Sequence, residues 1–192
     1  MVVESLDARG NVTAFGSGVV IAPGRPLPST GVGALVITNF HVLTNGRFIE
    51  DGASFKIKHG AVEWPAVPFG HDFDHDLEEL FVAGLNAPAV HVRESSALDV
   101  GEKVYAIGAP EGLELTISQG LISGLREIDK SQVIQTSAAI SPGSSGGGLF
   151  DTEGRLVGIT TFYLEEGQSL NFALPAQYTL ALDWERLALD YT

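Results

Sequence analysis

Ser145 sits in the run Ser141-Pro142-Gly143-Ser144-Ser145-Gly146-Gly147-Gly148, a hydroxyl among residues with little or no side chain. Such a run lets the backbone turn sharply and aim successive amide N–H groups at one spot. A serine that attacks a carbonyl needs this, because the attack builds an oxyanion that backbone donors must hold. Gly143 and Ser145 are placed to donate, with Ser144 between them in the same candidate oxyanion loop. A hydroxyl is inert near neutral pH unless a base takes its proton. Of five histidines, His41 is the best placed: it follows Val36-Ile37-Thr38-Asn39-Phe40, where a chain reversal after an apolar strand presents the ring at a groove. His59 and His91 lie in polar surroundings and read as solvated. The imidazole in turn needs a carboxylate to fix its tautomer and stabilise the imidazolium. Asp76 opens the apolar run Leu77, Leu80, Phe81 and Val82 and can be held rigidly there; Asp72 and Asp74 are alternatives on the same stretch.

Other chemistries are disfavoured. With no cysteine, the chain has no disulfide, thiol nucleophile or Cys-ligated metal. The segment His71-Asp72-Phe73-Asp74-His75-Asp76 gathers two imidazoles and three carboxylates, but it reads as loop rather than the helix that would make the histidine spacing meaningful; no metal is expected. A formal net charge of -13 repels phosphate backbones and anionic headgroups, so nucleic acid is not an expected partner. No apolar run reaches the roughly 18 residues of a spanning helix, and residues 1–10 lack the basic and apolar parts of an export signal, so membrane insertion is not expected and the compartment stays open. Glu78 and Glu79 read as solvated charges on a strand face or edge. The other reading sets one of them near Asp76 and His41, where it would favour the imidazolium and move the activity optimum to alkaline pH.

These side chains need a scaffold. Twenty-three glycines and short apolar runs between Gly, Pro, Asn and Asp clusters give the spacing of an all-β sandwich or barrel. Strands are expected at 18–22, 34–38, 54–57, 77–82, 104–107, 116–123, 133–136, 156–161 and 169–173. Residues 23–31, with three prolines, read as a surface loop. Tyr178, Leu182, Trp184, Leu187 and Leu189 recur at helical periods without Gly or Pro, so 176–190 is expected to be a terminal helix. The polar stretch 95–101 divides the chain into a first unit, 1–94, carrying His41 and Asp76, and a second, 102–192, carrying Ser145.

Taken together these residues resemble the chymotrypsin-fold serine proteases, and among them the HtrA/Deg branch. The order His41, Asp76, Ser145 is that of the chymotrypsin-type barrels. Gly16-Ser17-Gly18-Val19-Val20-Ile21 looks like that family's first core strand, Thr38-Asn39-Phe40-His41-Val42 its histidine motif and Asp76-Leu77 its aspartate motif. Gly101-Glu102-Lys103-Val104-Tyr105-Ala106-Ile107-Gly108-Ala109-Pro110 is similar to its lead-in to the second barrel. Gly120-Leu121-Ile122-Ser123-Gly124 and Ile134-Gln135-Thr136 precede the nucleophile motif, and Asn171-Phe172-Ala173-Leu174-Pro175 resembles the closing strand. The resemblance implies two antiparallel six-stranded barrels with a C-terminal helix, an active site in the cleft between them, hydrolysis through an acyl-enzyme and no cofactor.

The resemblance further implies that Ala139, Ile140, Ile159, Thr160, Thr161 and Phe162 line the pocket for the residue before the cut. None is acidic, so a small or medium apolar residue is expected there. Peptides or unfolded proteins are the implied substrates, and a homotrimer, with contacts near Phe15, the implied assembly. The chain departs from the family pattern at Ser137, Ser144 and Gly148. Ser144 stands where digestive zymogens carry the aspartate that receives a new N-terminus, so activation of that kind is not expected. The chain reads as a protease domain alone or one trimmed of a PDZ domain. The competing class is a catalytically weak or inactive barrel that binds peptides.

Overall fold

The computed structural model describes residues 1–21, 33–44, 49–109, 116–128, 130–163 and 170–182. In the first part β1 (Val2–Leu6), β2 (Val12–Ser17), β3 (Val19–Ile21), β4 (Gly33–Asn39), β5 (Ser54–His59), β6 (Val62–Asp72) and β7 (Leu77–Ala83) form one antiparallel sheet. Its order is β2-β1-β5-β6-β7-β4-β3. The two outer strands, β2 and β3, are one chain run interrupted only at Gly18. The sheet therefore curls until its edges meet through covalent backbone, and six chain runs make the first barrel. β8 (Lys103–Gly108), β9 (Thr116–Ile128), β10 (Ser131–Thr136), β11 (Gly148–Phe150), β12 (Leu156–Tyr163) and β13 (Asn171–Pro175) form the second, closed in the order β10-β13-β12-β11-β8-β9. This is the all-β double barrel expected from the sequence.

Alternation along β4 and β7 explains how the barrels join. Val36, Leu80 and Val82 point inward with Val3, Val20 and Ile57 to form the first core. Leu35, Ile37 and Leu77 point the other way and pack with Leu156, Ile159, Phe172 and Leu174 of the second barrel. Strands buried on both faces read as continuous apolar runs, which is why these two were legible. Each large aliphatic side chain so enclosed contributes about 1.5–3 kcal/mol. A third cluster, including Val104, Ile122, Ile134, Leu149 and Val157, fills the second barrel.

Four strands escaped the sequence reading. β1 is buried on both faces but includes polar Glu4 and Ser5, β2 is largely exposed until Gly16 and Ser17, and β11 is three residues long. β6 contains Pro65 and Pro68, which cannot donate to a ladder, and its register shifts between Pro68 and Gly70. Residues 71 and 72, expected in a loop, end this strand. The expected helix is a 3-10 turn over Ala176–Leu180; the rest of it, from 183, lies outside the described residues, as does the loop at 23–31. Between the sheets, Val90 and Val92 bridge to Ile21 and Leu156, one in each barrel. Arg93 pairs with Glu102 at 2.7 Å and Asp151 at 3.3 Å and donates to the Ala97 carbonyl. Ser95–Ala97 forms a 3-10 turn, and Leu98 is buried in the second core. Within the stretch 95–101, Ser95 and Leu98 are buried and the other residues are exposed.

Closure at Gly18 leaves no room for a side chain. A Cβ there would lie 2.5 Å from Val36 Cγ1 and 3.0 Å from Val3 Cγ2, both in the core. Gly18→Ala is expected to cost about 1–3 kcal/mol through overpacking. An unchanged urea midpoint would show that the barrel edge has slack.

Candidate active site

After β4 the chain reverses through a 3-10 turn, Phe40–Leu43, that carries His41. Asp76 sits just before β7 with φ 53°, a left-handed backbone that costs most residues roughly 1–2 kcal/mol and is best tolerated by Asn and Asp after glycine. In this conformation Asp76 faces the histidine turn with three of its oxygens. Its backbone carbonyl accepts the Phe40 N–H at 3.0 Å and Asn39 Nδ2 at 2.9 Å. Its Oδ1 accepts the His41 N–H at 2.9 Å, and Oδ2 lies 2.6 Å from His41 Nδ1. The carboxylate therefore holds both backbone and ring of the same residue, and with Nδ1 donating to it the Nε2 lone pair is free to accept a proton. The imidazole edge is open to solvent, its side chain 47% exposed.

The loop that carries Ser145 is shaped by its glycines. Gly146 has φ 81°, and a Cβ on it would fall 2.2 Å from the Ser17 carbonyl and 2.3 Å from Thr38 Oγ1. The loop thus lies directly on the first barrel. Gly143 has φ 89°, and its carbonyl accepts the Ser17 hydroxyl at 2.8 Å while the N–H of the same peptide group, that of Ser144, donates to Ser141 O at 2.9 Å. This peptide plane is pinned at both ends. The Ser144 amide, expected with the oxyanion donors, is therefore spent; the N–H groups of Gly143 and Ser145 on either side of it donate to nothing among the described residues. Ser145 is held by its carbonyl, which accepts the Ser17 N–H at 2.7 Å. Its hydroxyl donates to the Thr161 carbonyl at 2.9 Å. No hydrogen bond joins it to His41 among the described residues. The two halves of the site meet at Gly16, whose missing side chain makes room for Val42, next to His41, and for the Ser145 carbonyl.

The six residues expected to line the specificity pocket separate. Ala139 and Thr160, with Ser141, Ser144, Ala106 and Gly108, line a cavity of about 90 Å³ beside the nucleophile loop. Ile159 is fully buried between the barrels and Ile140 packs into the second core, so their side chains support the site from behind. Thr161 is buried and contributes its carbonyl; the side chain of Phe162 lies outside the described parts. In the hexapeptide, Asp72 pairs with His75 at 2.6 Å while His71 is buried and stacks on Phe73 at 4.0 Å. The two imidazoles thus have separate partners, and no group of three or more acidic, His or Cys side chains gathers at metal-binding distance among the described residues.

Ser17 is the residue that sequence reasoning passed over. It was read as part of a core strand, yet its hydroxyl donates to Gly143, accepts the Ala109 N–H at 2.8 Å, and its backbone binds Ser145 and Thr38. The only signal was a hydroxyl between two glycines in a strand, which a turn would show equally well.

The trypsin-like peptidase domain family matches residues 16–159. The serine protease Do-like HtrA of Bacillus subtilis is 32% identical over 192 residues, covering 91% of this chain and 43% of that protein. The chain thus spans less than half the length of that curated relative. Among solved structures, Deg5 superposes with a TM-score of 0.74 at 28% identity, over 94% of this chain and 84% of that one. The serine endoprotease from Yersinia pestis gives 0.72 at 28% identity, over 94% of this chain and 60% of that one.

The strand below Asp76 departs from expectation. Glu78 and Glu79 are buried, not solvated. Glu78 stands across from Thr38 on β4 and His71 on β6, and its Oε1 accepts no hydrogen bond among the described residues. Burial, with the neighbouring Glu79 carboxylate, pushes its pKa from the ordinary 4.5 up to about 9. A neutral Glu78 adds no negative charge near His41, so of the two glutamates only Glu79 is left as a candidate source of one. The folded state then retains a proton that the unfolded chain releases above pH 4.5, so stability falls as pH rises from about 4.5 to about 9 and levels beyond. Glu78→Gln is expected to flatten this decline. Melting temperatures of parent and variant that keep a constant difference across that window would refute the buried neutral acid.

Proposed function

Because the chain belongs to the trypsin-like peptidase domain family, on its HtrA/Deg branch, we propose that it is a serine endopeptidase in which Ser145, His41 and Asp76 form the catalytic triad. The observation that carries this reading is the two-point grip of Asp76 on His41, with ring nitrogen and backbone N–H on separate oxygens of one carboxylate. It fixes the tautomer that leaves Nε2 as the base. Ser145 Oγ leaves the Thr161 carbonyl by rotation about one side-chain bond and gives its proton to Nε2 as it attacks the substrate carbonyl. Negative charge then develops on the carbonyl oxygen, where the amides of Gly143 and Ser145 receive it. The imidazolium, stabilised by Asp76, protonates the departing amine as the C–N bond breaks. Water, deprotonated by the same nitrogen, hydrolyses the acyl-enzyme. Peptides and unfolded proteins are the proposed substrates, and no cofactor takes part.

The lining of the small cavity beside Ser144 carries no charge, which supports a small or medium apolar residue before the cut. An Arg or Lys there would bury an unpaired charge. One observation favours the second reading, an inactive barrel that binds peptides: the Ser145 hydroxyl is engaged with Thr161 and not with His41.

A fluorophosphonate probe separates the two, since only an activated serine reacts. Labelling of Ser145, with casein cleavage that falls by about a thousandfold or more in Ser145→Ala, is the expected result. A chain that binds peptide yet neither labels nor cleaves belongs to the second reading. On peptide libraries, Ala or Val before the cut is expected to exceed Arg or Lys by about a hundredfold or more; a library dominated by basic residues would overturn the pocket assignment. Ser17→Ala, which frees the Gly143 carbonyl, is expected to lower kcat by about tenfold or more with KM little changed; equal losses in both would instead mark general misfolding.

A further inference from the structure

Asp76 is held from the histidine side by four hydrogen bonds, but these tie it only to its own barrel. Something must also set the turn that presents it relative to the second barrel, where Ser145 resides. Leu77, the next residue, packs into the apolar cluster shared with the second barrel, and the residue before Asp76 makes a contact of defined direction. Asp72, at the end of β6, accepts the His75 N–H on Oδ1 at 3.1 Å and meets His75 Nδ1 with Oδ2 at 2.6 Å. This repeats, four residues upstream, the grip of Asp76 on His41. The His75 ring so oriented stacks on Tyr178 at 3.8 Å between centroids and 27° between planes. Tyr178 belongs to the 3-10 turn after β13, and its hydroxyl accepts the Gln132 N–H of β10 at 3.1 Å. The residue directly before Asp76 is thereby fastened to the second barrel.

We propose that His75 and Tyr178 are positioning residues that clamp the aspartate turn across the barrel interface, keeping Asp76 in the left-handed conformation its grip on His41 requires. The proposal rests on the reading of Asp76 as the triad acid. The other side of the turn is held within the first barrel, where Phe73 stacks on His71 and meets Phe40 edge-on at 4.8 Å. The clamp therefore does not hold the fold together; it selects one backbone conformation of one residue. Its loss lets Asp76 relax toward ordinary φ, where its carboxylate cannot reach both nitrogens of His41, and the base loses its fixed tautomer.

Tyr178→Phe keeps the stacked ring, Tyr178→Leu removes it, and His75→Gln removes the stack and the ring's part of the clasp. In Tyr178→Leu and His75→Gln, kcat for a peptide substrate and the rate of fluorophosphonate labelling at Ser145 are expected to fall together by about tenfold or more, with KM within about twofold. Tyr178→Phe, which keeps the stack and loses only the hydroxyl that accepts the Gln132 N–H, is expected to lose less than Tyr178→Leu. The downfield proton shared by His41 and Asp76 in NMR spectra should broaden or vanish in the two impaired variants and persist in the phenylalanine one. Parent-like kcat in either impaired variant, or a lowered melting temperature with the downfield proton and labelling rate intact, would overturn the clamp. Should one variant not fold, the other and the phenylalanine control decide. A parent that neither labels nor cleaves would instead overturn the protease reading itself, and the two failures cannot be confused.

Discussion

One hydroxyl in the first barrel organises the loop of the second that carries Ser145. Ser17 Oγ donates to the carbonyl of Gly143 and accepts the amide of Ala109, while its backbone N–H holds the carbonyl of Ser145. A buried polar group is costly unless satisfied, and here each of these groups is satisfied only if the two barrels sit in register. Gly146 enforces the same register sterically, because any Cβ would strike Ser17 and Thr38. Packing supplies the bulk attraction through Leu35, Ile37, Leu77, Leu156 and Ile159, but apolar contact is non-directional and would tolerate a slide of the barrels. The polar joint does not.

Precision is thus divided between two joints that cross from one barrel to the other. Ser17 and Gly146 set the nucleophile loop on the first barrel. His75 and Tyr178 set the aspartate turn on the second. Between them, Gly16 lets the chain beside His41 approach the Ser145 carbonyl. Each joint relies on a residue whose conformation is unusual, Gly143 and Gly146 on one side and left-handed Asp76 on the other. For the glycines this backbone is free of strain, whereas at Asp76 it costs energy and persists because surrounding contacts over-determine it.

The buried acids below Asp76 show the opposite economy. Glu78 occupies an interior position on β7 across from Thr38 and His71, and it remains there as a neutral acid. From the sequence two adjacent glutamates look like surface charge, since acidic residues are rarely enclosed. Their burial follows from β7 lying in the middle of the sheet, covered on both faces. The strand itself was legible; how deeply it is covered was not.

What the amino-acid sequence determined by itself were the residue types able to react, their order along the chain and the strands buried on both faces, since these depend on composition and short-range periodicity. β1, β2, β6 and β11 stayed hidden because polar residues at buried positions, exposure along most of a strand, prolines or brevity erased the periodic signal. The tertiary structure alone decided which amides beside Ser145 are unoccupied, that its hydroxyl meets Thr161, that Ile140 and Ile159 serve the core, and that His75 finds Tyr178. These are contacts between residues far apart in the chain, 126 positions in the case of Ser17 and Gly143. Such contacts leave no local periodicity, and they exist only once both barrels have closed and docked.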